Sequence, residues 1–285
     1  MRLAPAICLL AKKNDPPSLA LAAEMEKPLR ARGFKVLRRL PAAGLSSPRL
    51  TLSIGGDGTL ISAARLLIGT GIPLAGVNTG RVGFLPALRP DNWRESLFPA
   101  LERGLILEKR LALGLEVARA GQSLFSGPAV NDAALSRGSP ARLPAFEIFL
   151  NGEKLVYLRA DGLILSSPTG STAYSGSAGG PQLYPTLQAY SLTPLCPFQT
   201  RLSSLVLGAE DSLCITVREA CAKLYFTVDG QEGLPLRAGD EISARGLPEA
   251  VLLARFDLES GYCAKLRSAG FVADSPGGRA CALTC

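Results

Sequence analysis

The stretch Leu50-Thr51-Leu52-Ser53-Ile54-Gly55-Gly56-Asp57-Gly58-Thr59-Leu60 decides how the first third of the chain folds. Leu50–Ile54 reads as an apolar strand that runs into Gly55–Gly56, and Leu60–Ile68 reads as an apolar-rich helix ending near Gly69. Glycines at such a strand-to-helix turn let the backbone bend sharply and approach a ligand closely. Amides exposed there can hold phosphate oxygens. Asp57 cannot itself attract phosphate, but it suits orienting or deprotonating a hydroxyl, or holding Mg²⁺. The same residues also fit an ordinary turn with Asp57 as helix N-cap. No Gly-x-x-x-x-Gly-Lys-Ser/Thr occurs, so the turn is not a Walker loop, and no Gly-x-Gly-x-x-Gly occurs to support a dinucleotide dehydrogenase.

Outward from this stretch the alternation continues. Leu3–Ala11, Phe34–Leu37 and Ile72–Val77 read as strands. Ser18–Arg32 carries Leu19, Ala22, Ala23, Met25 and Leu29 at helical spacing and stops at Gly33. A βαβα order predicts a parallel sheet with helices packed on it. Met1-Arg2-Leu3 ahead of Ile7-Cys8-Leu9-Leu10 could pass for a signal peptide. The apolar run is too short, and Lys12-Lys13-Asn14 follows without a small-residue cleavage pattern, so a buried first strand is expected.

After Leu107 short strands and turn signals dominate. Ala145–Leu150 and Lys154–Leu158 flank Asn151-Gly152, a two-residue hairpin turn whose positions both tolerate positive φ. Leu163–Ser166, Ser204–Leu207, Leu213–Val217, Lys223–Val228, Glu241–Ala244 and Val251–Phe256 follow as strands, with Asp229-Gly230 as a turn. A helical pattern near Ala173–Ala189 interrupts them. The expected organisation is an α/β nucleotide-binding domain at 1–107 and a mainly antiparallel β-rich domain at 108–254. A return segment at 255–285 ends in a mobile tail from Pro276.

Composition narrows the chemistry. The 285 residues are 47% hydrophobic, enough for a large core. No apolar run approaches the ~18–20 residues that span a bilayer, so no membrane partner is expected. Thirty-one Lys and Arg against 24 Asp and Glu give +7. That surplus fits either anionic ligands or plain solubility; the charges are scattered, which argues against nucleic acid. Seven cysteines, an odd number with no Cys-x-x-Cys pair, suggest reduced thiols in a cytoplasmic protein. There is no histidine, which removes Ser-His-Asp and Cys-His mechanisms and any His-ligated metal.

Three further motifs carry chemistry. Gly76-Val77-Asn78-Thr79-Gly80-Arg81-Val82-Gly83-Phe84-Leu85 follows a strand, and Phe84 suits stacking on a ring or filling the core beneath a tight loop. Asn131-Asp132 lies within apolar Ala129–Leu135, where a polar pair is costly unless satisfied; it lines a site or marks a strand end with Asp132 in solvent. Arg159-Ala160-Asp161-Gly162 leads through a strand into Ser166-Ser167-Pro168-Thr169-Gly170-Ser171-Thr172-Ala173-Tyr174-Ser175-Gly176-Ser177-Ala178-Gly179-Gly180-Pro181. That run offers many hydroxyls and amides with little bulk, which suits a polar, multi-ring ligand. Pro168, Tyr174 and Pro181 make it unlike a flexible linker.

With these residues in this order, the sequence resembles the ATP-NAD kinase family in its bacterial form. The resemblance rests on Gly55–Thr59, Gly76–Leu85, Asn131-Asp132, Asp161–Pro181 and Asp229-Gly230-Gln231, and covers roughly residues 1–265. The first motif is shared with lipid kinases and phosphofructokinases; Thr169–Pro181 is far more specific. Pro197-Phe198 stands where family members often have Pro-His, and Ser203-Ser204 where Arg-Pro is common.

The resemblance implies an N-terminal α/β domain, a C-terminal β-sandwich and an active site in the crevice between them. The last strand would return to the first domain. It implies transfer of the ATP γ-phosphoryl group to the 2′-hydroxyl of NAD's adenosine ribose, with Mg²⁺ or another divalent cation, in a homodimer or homotetramer. By carry-over Asp57 resembles the general base, with Gly58 beside the ligand; Phe84, within the matched Gly76–Leu85 motif, is a candidate NAD-binding residue. Asn131 and Asp132 match the pair that holds the dinucleotide, and Asp161, preceded by basic Arg159, the acid at the nicotinamide or its ribose. Thr172, Ala173, Tyr174, Ser175, Gly176 and Ser177 match the stretch lining the adenine. Gln231 matches the glutamine of the Asp-Gly-Gln turn, and Arg142 is a weaker match. A lipid kinase, a non-catalytic dinucleotide sensor and a dehydrogenase are the rival classes.

Overall fold

The computed structural model describes residues 5–41, 47–80, 84–85, 88–138, 142–199, 202–220, 223–256, 261–268 and 270–272. The expected alternation opens the chain: β1 (Ala6–Ala11), α1 (Pro16–Ala31), β2 (Lys35–Leu37), β3 (Leu50–Gly55), α2 (Asp57–Leu67), β4 (Leu74–Asn78) and α3 (Trp93–Arg103). Asp15 starts α1 by accepting from the Ser18 amide, and Pro16 and Pro17 occupy positions where no intrahelical N–H is needed. Leu21, Ala22, Met25 and Leu29 then form its buried stripe. Every residue of β3 is buried, as befits a central parallel strand covered on both faces. The helix α3 has no counterpart in the sequence reading. Pro99 sits inside it and masks a pattern that nevertheless buries Trp93, Leu97, Phe98 and Leu101.

The second half adds β5 (Ile106–Arg119), β6 (Gln122–Ala129), β7 (Asp132–Arg137), β8 (Ala145–Leu150), β9 (Glu153–Arg159) and β10 (Gly162–Ser166). A 3₁₀ turn at Gly170–Thr172 and the short helix α4 (Tyr174–Ser177) follow. Then come β11 (Ala189–Leu195), β12 (Leu205–Gly208), β13 (Ser212–Glu219), β14 (Leu224–Val228), β15 (Glu232–Leu236), β16 (Glu241–Arg255) and α5 (Tyr262–Ser268). Asn151 and Gly152 take φ of 52° and 83°, the hairpin geometry their identities predict.

Two expectations change. The helix near Ala173–Ala189 shrinks to α4, because Gly179, Gly180 and Pro181 break it and Ala189 opens a strand. Glu241–Ala244 and Val251–Phe256 are one strand: the register shift between Leu247 and Val251 absorbs the intervening residues, with Glu249 at φ 51°. Residues 1–4 of the expected first strand and the tail from Pro276 lie outside the described residues.

Sheet order explains how the halves join. The larger sheet runs β2-β1-β3-β4-β16-β13-β8-β9, with β5 and β6 branching from β16; the smaller runs β12-β11-β10-β7-β14-β15. Strands β1 to β4 are parallel. The early part of β16 is antiparallel to β13, and Leu253 near its end pairs in parallel with Leu74 of β4. One strand thus belongs to both halves. The largest core draws on strands of both sheets, with Phe146, Tyr190 and Phe226 as its largest fully buried side chains. A second core lies between α1, α3 and the parallel strands. The expected boundary at 107/108 falls within β5.

Candidate functional site

Strand β3 delivers the glycine turn to the N-terminus of α2. Gly56 is the N-cap and makes no side-chain cap, so Asp57 is the first residue of the helix. Its carboxylate is tied to another segment: the Phe84 amide donates to Oδ2 at 2.9 Å and the Leu85 amide to Oδ1 at 3.2 Å. Two donors on two oxygens fix the plane of the group, and the helix N-terminus favours its charge.

The Asp229-Gly230-Gln231 turn docks on the same helix. Gln231 Nε2 donates to the Gly58 carbonyl at 3.0 Å, and Ser62 Oγ donates to Gln231 Oε1 at 2.7 Å. Asp229 is buried, and its carboxylate accepts the amides of Val130, Asn131 and Asp132 at 3.1, 2.7 and 3.2 Å. Arg65, further along α2, lies 3.6 Å from Asp229, donates to the Pro128 carbonyl at 3.1 Å and pairs with Glu232 at 3.0 Å. A buried carboxylate surrounded by donors and a guanidinium is satisfied where an isolated one is not. The sequence reading recognised Asp229 as a turn residue but not as this anchor. Arg65 could have been noticed as a lone cation in an apolar helix.

The Asn131-Asp132 pair stands at the start of β7, at the strand end, yet Asp132 is 7% exposed. Burial first, and the nearby Asp229 charge second, push its carboxyl up to about 6. Asn131 Oδ1 is buried with no donor among the described residues. The Asn131 carbonyl accepts the Ser167 amide at 2.9 Å, and a Cβ at position 170 would lie 2.1 Å from that carbonyl oxygen, so Gly170 has no substitute there.

The hydroxyl-rich stretch divides in two. Ser167 donates to the Val130 carbonyl, Ser171 Oγ bridges the Pro168 carbonyl and the Leu183 amide, and Ser175 Oγ meets Thr193 Oγ1 at 3.2 Å. These hydroxyls are buried and consumed in holding the loop. Thr172, Ala173 and Gly176 are half-buried, while Tyr174 and Ser177 face solvent.

The structure therefore brings Asp57, Gly58, Phe84, Asn131, Asp132 and Gln231 into one bonded cluster with the Thr169–Ser177 stretch. Arg159, Asp161 and Arg142 do not join it. Asp161 precedes Gly162, whereas Ser166 at the other end of β10 pairs with Asp132. Four residues of strand separate the two ends, about 13 Å. There Asp161 pairs with Arg137 at 2.9 Å, and Arg159 with Glu219 at 2.8 Å. Arg159 and Tyr157 bonds, with the Arg142 charge adding less, hold Glu219 below the usual carboxylate range.

Beside Gly58 opens the largest cavity described, about 970 Å³, lined by Lys12, Lys13, Arg38, Arg39, Gly58 and Ser62 among others. It sits at the carboxyl ends of β1 and β3, and β1 pairs with β2 on one side and β3 on the other. In open α/β sheets ligands sit at such a switch point.

Two family models match the chain: the ATP-NAD kinase N-terminal domain over residues 38–105 and the ATP-NAD kinase C-terminal domain over residues 130–256. The chain is 42% identical over 275 residues to the NAD kinase of Nitratidesulfovibrio vulgaris (strain DP4), covering 94% of this chain and 92% of that protein. To the NAD kinase of Oleidesulfovibrio alaskensis it is 38% identical over 281 residues, 96% of each. The solved structure of an NAD kinase from Archaeoglobus fulgidus in complex with ATP superposes with TM-score 0.72 at 26% identity, over 93% of this chain and 99% of that one. Yeast NADH kinase complexed with NADH shares the fold, with TM-score 0.82 at 21% identity over 98% and 91%.

Proposed function

The chain belongs to the ATP-NAD kinase family, and from that membership we propose that it transfers the γ-phosphoryl group of ATP to the 2′-hydroxyl of NAD's adenosine ribose, giving NADP and ADP. The observation that carries this reading is Asp57, fixed through both oxygens in the turn whose Gly56, Gly58 and Thr59 line a nucleotide-sized cavity together with Lys12, Lys13, Arg38 and Arg39. The ribose 2′-oxygen attacks the γ-phosphorus in line as the bond to the β-phosphate oxygen breaks. Asp57 aligns that hydroxyl and takes its proton as bonding advances. Phosphoryl transfer depends mainly on such positioning and on neutralising charge.

The cluster suggests roles for its other members. Asn131 Oδ1, lacking a donor, would accept one from the dinucleotide, and Asp132 would accept from a ribose hydroxyl. Phe84, Thr172, Ala173, Tyr174, Ser175, Gly176 and Ser177 would shape the adenine side, and Gly58 and Gln231 the turn beneath it. Arg159, Asp161 and Arg142, at the far end of β10, would serve the nicotinamide half. The donor would lie against Lys12, Lys13, Arg38 and Arg39, whose charges suit a triphosphate.

Among the described residues no three carboxylate or thiol groups gather to hold a cation. Mg²⁺ or another divalent cation would arrive on ATP as part of the substrate, where it neutralises phosphate charge. The functional division follows the two halves, residues 1–107 and 108–254, with a homodimer or homotetramer as the working form. A cytoplasmic location agrees with four described cysteines that are free. No helix among the described residues is long and apolar enough to cross a membrane.

The test is direct. Protein, Mg²⁺ and NAD are incubated with ATP, and NADP is detected with an NADP-specific dehydrogenase. NADP should accumulate with matching ADP and disappear on chelation of the cation. Binding of NAD without NADP formation, or phosphorylation of a lipid instead, would remove the proposal.

A further inference from the structure

The C-terminal helix α5 lies beyond residue 256, where the family match ends, and none of its residues is fully buried. Its contacts are nevertheless specific. The Tyr262 ring meets Phe84 edge-on at 6.1 Å between centroids, with the planes at 85°, and meets Tyr184 at 5.2 Å and 76°. Tyr262 Oη donates to the Leu183 carbonyl at 3.2 Å. The same Leu183 donates its amide to Ser171 Oγ, which ties the hydroxyl-rich loop. Just past α5, Phe271 rests on α4: a Cβ at Gly176 would come within 3.0 Å of its ring and 2.7 Å of the Ser171 carbonyl.

Phe84 follows β4 of the α/β half, Gly176 and Leu183 follow β10 of the β-rich half, and Phe84, Tyr184 and Tyr262 line one cleft of about 150 Å³. The Phe84 and Leu85 amides are also the two donors that orient Asp57. We propose that residues 261–268 and 270–272 act as a strap across this cleft, with Tyr262 as a positioning residue that sets Asp57 through Phe84. This rests on the reading of Asp57 as the base. The strap touches no reacting atom; it fixes where the Phe84-Leu85 amides sit. Edge-to-face ring pairs are directional, so losing one frees the loop without emptying a core. A displacement near 1 Å at the reacting centre is worth about 10²-fold in rate.

Three variants test this: Tyr262→Ala, Tyr262→Phe and Phe271→Ala, beside Asp57→Asn. Tyr262→Ala should lower kcat about 10–100-fold while KM for ATP changes by less than about 3-fold. Tyr262→Phe keeps the ring pairs and should recover most of the turnover. Hydrogen–deuterium exchange reads the strap without activity: peptides carrying Phe84 and Leu85 should exchange faster in Tyr262→Ala and normally in Tyr262→Phe. Phe271→Ala should loosen the peptide carrying Gly176 instead. Wild-type turnover in Tyr262→Ala while Asp57→Asn is inactive overturns the strap and leaves the kinase reading intact. Unchanged exchange at Phe84 and Leu85 overturns it as well, even for a wild-type protein that makes no NADP. Global unfolding of Tyr262→Ala would overturn it too, by making α5 part of the core.

Discussion

Gln231 Nε2 donates to the carbonyl of Gly58 across 173 residues of sequence. With Ser62 Oγ donating to the same glutamine, the tip of one β-hairpin is pinned to the first turns of α2. The turn that presents Asp57 is thereby braced by the β-rich half. Gln231→Ala should lower kcat/KM about 10-fold with a stability loss near 1 kcal/mol, the usual worth of an exposed hydrogen bond. Crossing it with Ser62→Ala in a double-mutant cycle should give a coupling of at least about 0.5 kcal/mol. Additive melting shifts in that cycle would mean the contact carries nothing.

Replacing Asp57 separates charge from shape. Asp57→Asn keeps an oxygen for one of the Phe84 and Leu85 amides but places an NH₂ group against the other. Turnover should fall about 10²–10⁴-fold, the range for a general base. Thermal stability should change little, because the side chain is only half-buried. Steady-state NADP formation and a melting curve check both. Near-normal turnover would take the base away from position 57.

What could be read in the sequence was local. The glycine turn follows an apolar strand and precedes an apolar helix, so its geometry needs no distant partner. Asn151-Gly152 specified its hairpin in the same way. Partners far apart in sequence were not legible. Nothing in the spelling of Asp229 says that it accepts three amides from residues almost a hundred positions earlier. The hydroxyls after Ser166 were legible only as a group for a related reason: composition offers donors without saying which ones bond within the loop, as Ser167, Ser171 and Ser175 do. Motif order likewise says nothing of distance: Asp161 precedes β10, while Asp132 pairs with Ser166 at the other end of that strand.

The stability of the unliganded protein should depend on pH through Asp132. Its carboxyl is pushed from the ordinary 3.8 up to about 6, so the folded state binds the proton more tightly than the unfolded chain does. This contribution is complete below pH 3.8 and is lost as pH rises through about 6. A shift of that size corresponds to roughly 3 kcal/mol at most. Asp132→Asn should therefore be more stable than the wild type at pH 8, by about 1–3 kcal/mol, with the advantage gone below pH 4. Denaturant melts at pH 4, 6 and 8 measure it, and parallel curves for the two proteins would refute it.

Asp229 bears on both stability and this titration. Asp229→Ala strands three amides and leaves the Arg65 guanidinium without its buried partner, so a loss of about 3–5 kcal/mol is expected. Asp229→Asn is the informative variant. Its remaining oxygen can still take the Asn131 and Asp132 amides, both of which bond to Oδ1, so the loss should be smaller. It also removes a negative charge that raises the Asp132 carboxyl, which must then ionise at lower pH. If Asp132 accepts from a ribose hydroxyl, KM for NAD rises in the wild type as pH falls through about 6. In Asp229→Asn that rise should begin at lower pH. An unmoved profile would leave burial alone to account for the shift and deny the coupling between the two carboxylates.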